Sequence, residues 1–291
     1  MKGISRLFVG SLLTVSCVGV LAAQDKAASG PPRLLVIQRE YVKPGKAGAV
    51  HEKSEGAFVS AFARAKWPTH YLAVQSLSGK PRVLFFTHYD SYEAWEKDAQ
   101  AAEKSAVLSA ALDRANEADG RLLDSADQNV FTYDEKLSLR PLSDISHMRY
   151  LEIWVAHVRP GHHKEWEELN KLFQSGSEKA VPTAHWAVYQ AAYGAPDGTY
   201  IFLTARKTAA ELDRGPQEDK AFEAALGEDG LKKLDELFAA AVESSESQFF
   251  SFSPAMSYPT DEWVKADPEF WKPKAATVTA AKAEKKPASN P

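Results

Sequence analysis

The run from Leu34 to Val42, apolar in its first half and polar in its second, reads as an extended strand in which Leu35, Ile37, Arg39 and Tyr41 share one face. Pro44-Gly45 interrupts this run. Over residues 47–66 the period lengthens to that of a helix. Val50, Ala57, Phe58, Ala61, Phe62 and Ala65 form its apolar stripe, and Trp67-Pro68 ends it. Extended patterns return at residues 71–77 and 83–89, divided by the turn Ser78-Gly79-Lys80-Pro81. Asp90 with Glu93 three residues on predicts a helix start, and alanine-rich sequence continues with interruptions to about residue 123. A fourth strand at 128–133 completes a β-α-β-β-α-β order.

The order then repeats. A strand at 150–158 is broken by Pro160-Gly161, and a helix at 163–179 places Trp166, Leu169, Phe173 and Ala180 on one face. Strands follow at 185–191 and 199–205, and Thr208 with Glu211 forms a capping box. Helices run to about residue 242 with a break at Gly227–Gly230, and a strand at 248–252 closes the unit. The sequence itself is duplicated. Tyr41-Val42-Lys43-Pro44-Gly45-Lys46 matches His157-Val158-Arg159-Pro160-Gly161-His162, offset by 116. Pro68-Thr69-His70-Tyr71 matches Pro182-Thr183-Ala184-His185-Trp186, and Val83-Leu84-Phe85-Phe86-Thr87 matches Tyr200-Ile201-Phe202-Leu203-Thr204. Three blocks in one order at nearly constant offset mark an internal repeat.

The expected organisation is two repeats, 34–140 and 141–258, each an α+β ferredoxin-like unit. A four-stranded sheet with helices on one face leaves its other face uncovered, and two copies in one chain can cover each other. Lys43-Pro44-Gly45-Lys46 and Arg159-Pro160-Gly161-His162, each between a strand and a helix, resemble the opening of dimeric α+β barrel proteins, here as a tandem single chain. The resemblance covers roughly residues 34–258. It implies two sheets packed as an intrachain barrel, and it admits several activities: cofactor-independent monooxygenation, haem-dependent chemistry, isomerisation or none.

Composition adds the compartment. Lys2 and Arg6 precede a mostly apolar run from Leu7 to Val20, with Ala22-Ala23 ahead of Gln24, which predicts a signal peptide at 1–23 and export to the periplasm or exterior. Residues 24–33 read as a linker. Cys17 is the chain's one cysteine, and its surroundings fit lipidation poorly, so the exported part is expected to hold neither disulfide nor thiolate site. Trp263, Phe270 and Trp271 suggest an aromatic strap over residues 259–271. Residues 272–291, rich in Ala, Lys and Pro, suggest a disordered tail. The net charge of −4 argues against nucleic acid as a partner, and no permanent membrane span is expected. A monomeric pseudo-dimer or a higher homo-oligomer is expected.

The candidate ligand-binding residues are His70 and His185, at matching positions, with their aromatic neighbours Tyr71 and Trp186. Arg39 and Tyr41 on the first strand, and His157 opposite Tyr41 in the repeat, form a second set. No HExxH, GxSxG, Walker or GxGxxG signature is present, and adjacent His162-His163 face different ways on a helix, so no metal site is predicted. No cofactor is required, although the resemblance admits haem with His70 or His185. The expected function is therefore binding of a small apolar or aromatic ligand, or of a protein partner, through the barrel. A monooxygenase-like or haem-dependent enzyme is the alternative.

Overall fold

The computed structural model describes residues 30–272; the expected signal peptide at 1–23, most of the expected linker and the expected tail beyond Lys272 lie outside the described residues. The first repeat runs β1 (Leu34–Val42), α1 (Ala49–Ala65), β2 (Tyr71–Ser76), β3 (Arg82–Tyr89), α2 (Tyr92–Lys104), α3 (Ala106–Asp119) and β4 (Leu123–Leu139). The second runs β5 (Tyr150–Val158), α4 (His163–Ala180), β6 (Trp186–Tyr193), β7 (Thr199–Arg206), α5 (Gly215–Ala241) and β8 (Val242–Phe252). Two short helices follow, α6 (Asp261–Ala266) and α7 (Pro268–Trp271).

All eight strands close one antiparallel barrel in the order β1-β3-β2-β8-β5-β7-β6-β4. Each repeat thus supplies a sheet ordered 4-1-3-2. The seams are the β2–β8 pair (Val74↔Phe252 to Ser76↔Phe250) and the β4–β6 pair. The fold is the tandem α+β barrel expected from the repeat, with α1 to α3 over the sheet of the first repeat and α4 and α5 over that of the second. Among the described residues no helix is long and apolar enough to cross a membrane.

Strand alternation builds two distinct cores. Leu35, Ile37, Leu84, Phe86, Leu151, Ile153 and Phe250 point inward and form one continuous buried cluster. The space expected between the sheets is therefore filled by side chains in this region, as in other narrow eight-stranded barrels. Residues on the alternate phase point outward, under the helices. Ala156, Val158, Val188, Tyr200 and Phe202 pack there against Trp166 and Leu169 of α4 and Leu237 of α5.

Three local expectations shift. The first cap of the second helical stretch is Ser91, whose hydroxyl accepts from Ala94 N at 3.1 Å, and not Asp90. Val50 is 50% exposed, off the buried stripe; the fully buried positions of α1 are His51, Glu55 and Ala61. β4 spans 17 residues and β8 spans 11, both longer than predicted. Their extra residues are mostly polar, so periodicity misses them, and they are held by ladder bonds to β1 and β6 in β4 and to β5 in β8.

The aromatic segment after β8 closes one end of the barrel. Tyr258 bridges to Tyr71, and Trp271 is buried at 1% exposure with its indole N–H donating to Ser146 O at 2.7 Å. Arg149 pairs with Asp267 and lies 3.9 Å from the Phe270 ring centroid, fixing the strap to the chain between the repeats.

Candidate functional site

β1, β2, β5 and β6 run in one direction around the barrel, because neighbours alternate in direction. The sequence-derived residues therefore separate into two groups. His70 and His185 lie at the starts of β2 and β6, whereas Arg39, Tyr41 and His157 lie at the ends of β1 and β5. They do not converge. His70 stacks on Tyr258 with ring centroids 4.5 Å apart, and its Nδ1 lies 3.2 Å from Tyr258 O. Burial pushes its pKa down. Both ring nitrogens of His185 are 2.9 Å from carbonyl oxygens, of Thr183 and Ala205. Both histidines thus tie helix-to-strand connections together, and His185 has both of its ring nitrogens taken by carbonyl oxygens. Arg39 makes a bidentate, partly exposed pair with Asp127 at 2.6 and 2.8 Å, and His157 Nδ1 meets the Thr199 hydroxyl at 2.9 Å.

Tyr71 is the exception. Its phase on β2 aims the ring outward, into a cleft of about 240 Å³ between the first sheet and α1 and α3. Phe58, Phe62, Tyr71, Phe85 and Leu112 make an apolar wall; Gln38, Thr87, Asn116 and Gln128 add polar edges. Glu40 and Glu55 form the acidic end. The Tyr71 hydroxyl is buried and has no hydrogen-bond partner among the described residues.

Behind that acidic end sits a closed group of charges. Glu40 projects outward from β1, His51 and Glu55 share a face of α1 at i and i+4, and Asp119 ends α3. All four are buried, at 1–3% exposure. His51 Nε2 lies 3.2 Å from Glu40 Oε2, 3.5 Å from Asp119 Oδ1 and 3.6 Å from Glu55 Oε1. Glu55 Oε1 and Asp119 Oδ1 have no hydrogen-bond partner among the described residues. One donor atom from each residue falls within 4.8 Å of the others.

The electrostatics follow from burial among like charges. Desolvation lowers the pKa of His51, but its close approach to Asp119 and Glu40 and the charge of the nearby carboxylates outweigh it and raise the pKa to about 10. Desolvation, reinforced by Glu40 and Asp119, pushes Glu55 up to about 9, so near neutrality it is a carboxylic acid able to donate. Asp119 is raised by burial but pulled net downward by His51 and Ser54. Tyr71 is raised, first by burial and then by Glu55 and Glu40. The cleft therefore combines an aromatic wall with a proton donor at its floor.

The second repeat fills the same place. By strand register Ala156 stands where Glu40 does, and Trp154 where Gln38 does. On α4 the buried pair at i and i+4 is Trp166 and Asn170, in place of His51 and Glu55. Trp154 and Phe202 rings meet at 4.9 Å, and Trp166 and Tyr200 at 5.0 Å. Trp186, the counterpart of Tyr71, is buried with its indole N–H on Leu137 O.

Sequence reasoning found Tyr71 and missed Glu40, His51, Glu55 and Asp119. The available signal was His51-x-x-x-Glu55 on the side of a helix that should have been apolar.

No protein-family model matches the chain, and no curated protein matches it. Solved structures do match in overall shape. An anthrone oxidase-like protein superposes with a TM-score of 0.49 at 14% identity, over 80% of this chain and 96% of that one. A chlorite dismutase mutant from Candidatus Nitrospira defluvii gives 0.47 at 11%, over 81% and 96%. A haem-binding protein from Thermus thermophilus gives 0.45 at 12%, over 81% and 95%. These likenesses assign no residue and no chemistry to this chain.

Proposed function

We propose that this chain is an exported binding protein that takes a small aromatic molecule into the cleft between the first sheet and its helices. The observation that carries the reading is the asymmetry: the first repeat leaves a cleft of about 240 Å³ with aromatic walls and an acidic floor where the second repeat is packed with tryptophan. An apolar cavity of ~150 Å³ accepts benzene, so this volume suits a ligand of one or two rings. A hydroxyl or amine on that ligand would satisfy the Tyr71 hydroxyl and the Glu55 carboxyl. Export rests on the sequence pattern of residues 1–23.

Native mass spectrometry of protein purified from its own exported fraction tests the reading. The expected result is an organic mass that is lost on denaturation and absent from Gln38→Trp, which places the second repeat's indole in the cleft. Protein that carries no organic mass and gains none from a panel of one- and two-ring phenols and amines overturns it.

A further inference from the structure

We propose that Glu40, His51, Glu55 and Asp119 form a binding site for one divalent first-row cation, manganese or zinc. The inference goes beyond the ligand cleft and stands on the donor cluster alone. A four-coordinate ion held at about 2.1 Å from nitrogen and oxygen donors sets those donors roughly 3.4 Å apart. The imidazole Nε2 already stands 3.2, 3.5 and 3.6 Å from three carboxylate oxygens. These match the three edges of such a tetrahedron that meet at the imidazole nitrogen, and the donor atoms all lie within 4.8 Å of one another, close enough for an ion to draw them tighter.

Two of the oxygens meet the imidazole only at ion-pair distance, 3.6 and 3.5 Å. Glu55 Oε1 and Asp119 Oδ1 are buried, converge on the same point and accept no hydrogen bond from the described residues. Buried acceptors without a hydrogen bond cost about 1–3 kcal/mol each, and a cation that displaced the protons held by His51 and Glu55 would satisfy both at once. The four ligands come from three elements, β1, α1 and α3, so an ion would clasp both helices to the sheet. One imidazole among three carboxylates favours manganese, iron or zinc over softer ions. Routes in exist on two sides. Glu40 and Glu55 line the aromatic cleft, and His51 lines a second cavity of about 270 Å³ beside Gly48 and Met256.

The test uses the full exported chain, stripped with chelator and titrated separately with manganese(II) and zinc(II), read by native mass spectrometry, calorimetry and thermal melting. One ion per chain and a raised melting temperature are expected. Asp119→Asn and Glu55→Gln, which keep side-chain shape, should each weaken binding at least ~100-fold, by loss of a direct ligand rather than of its support. The exposed His163→Gln should leave binding unchanged. If a variant does not fold, the unaltered protein still decides. Failure to bind either ion at about 1 mM, or binding that survives both substitutions, overturns the proposal. The cation is read as an inorganic mass that persists in Gln38→Trp, so its loss and the loss of the organic ligand are separate outcomes.

Discussion

The two repeats answer one packing problem in opposite ways. Under the helices of the second, Trp166 at 1% exposure meets Trp154, Tyr200 and Phe202, and the layer is stabilised by apolar burial. Under the helices of the first, a histidine and three carboxylates occupy the matching depth beside an open cleft. The same backbone tolerates both, which separates what the fold requires from what it permits. The fold requires a filled barrel interior. The helix–sheet layer can hold a buried charged cluster in one half and an apolar layer in the other.

Breaking each solution should expose the difference. Trp166→Ala empties a large, fully buried site and should destabilise the protein by about 3–5 kcal/mol in denaturant unfolding. His51→Ala leaves three carboxylates facing one another and should cost a similar amount, about 3–5 kcal/mol. Unlike the tryptophan variant, it should recover as pH falls and the acids are protonated. Replacing the cluster, with the second repeat's residues in Glu40→Ala, His51→Trp and Glu55→Asn and an apolar side chain in Asp119→Leu, should give a protein that folds with stability unchanged or raised by about 1–4 kcal/mol. A collapse of that variant would show that the cluster is required for folding.

The pH profile sharpens the contrast. His51 and Glu55 both have folded-state pKa values above their ordinary ones, at about 10 and about 9. Each binds its proton more tightly in the folded protein, so each contributes stability at low pH that is lost as pH rises toward its folded value. Between about pH 6.5, the ordinary histidine value, and about pH 9, stability should fall with rising pH, with Glu40, Asp119 and Tyr71 the charged or titratable groups around the pair. The fourfold variant should show a flatter profile over that window. The smallest effect belongs to Val50→Ala at a half-exposed position, where a change within about 0.5 kcal/mol is expected.

The architecture could be read from the chain because it is written twice. Pro44-Gly45 and Pro160-Gly161 fix equivalent turns, and the alternation in 34–42 and 150–158 sorts inner from outer faces. The cluster could not, because it depends on pairing at a distance: Glu40 and Asp119 are far apart in sequence, and only the packing of α3 brings them together. The paired histidines drew attention through repetition, yet in both copies the ring meets backbone carbonyls and tethers a turn. Features confined to one copy were the informative ones, and Glu40 and His51 differ from Ala156 and Trp166 at every point that matters to the cleft.

The covalent joining of the two sheets has a consequence for assembly. A barrel made from separate chains falls apart on dilution, since its folded state depends on protomer concentration. Here the β2–β8 and β4–β6 seams lie within one molecule, so closure is a unimolecular event. A two-fold assembly of identical chains would also be obliged to carry two copies of any site it evolved. A single chain escapes that symmetry and holds its cleft in one half of the barrel at any concentration, down to that of a solitary molecule.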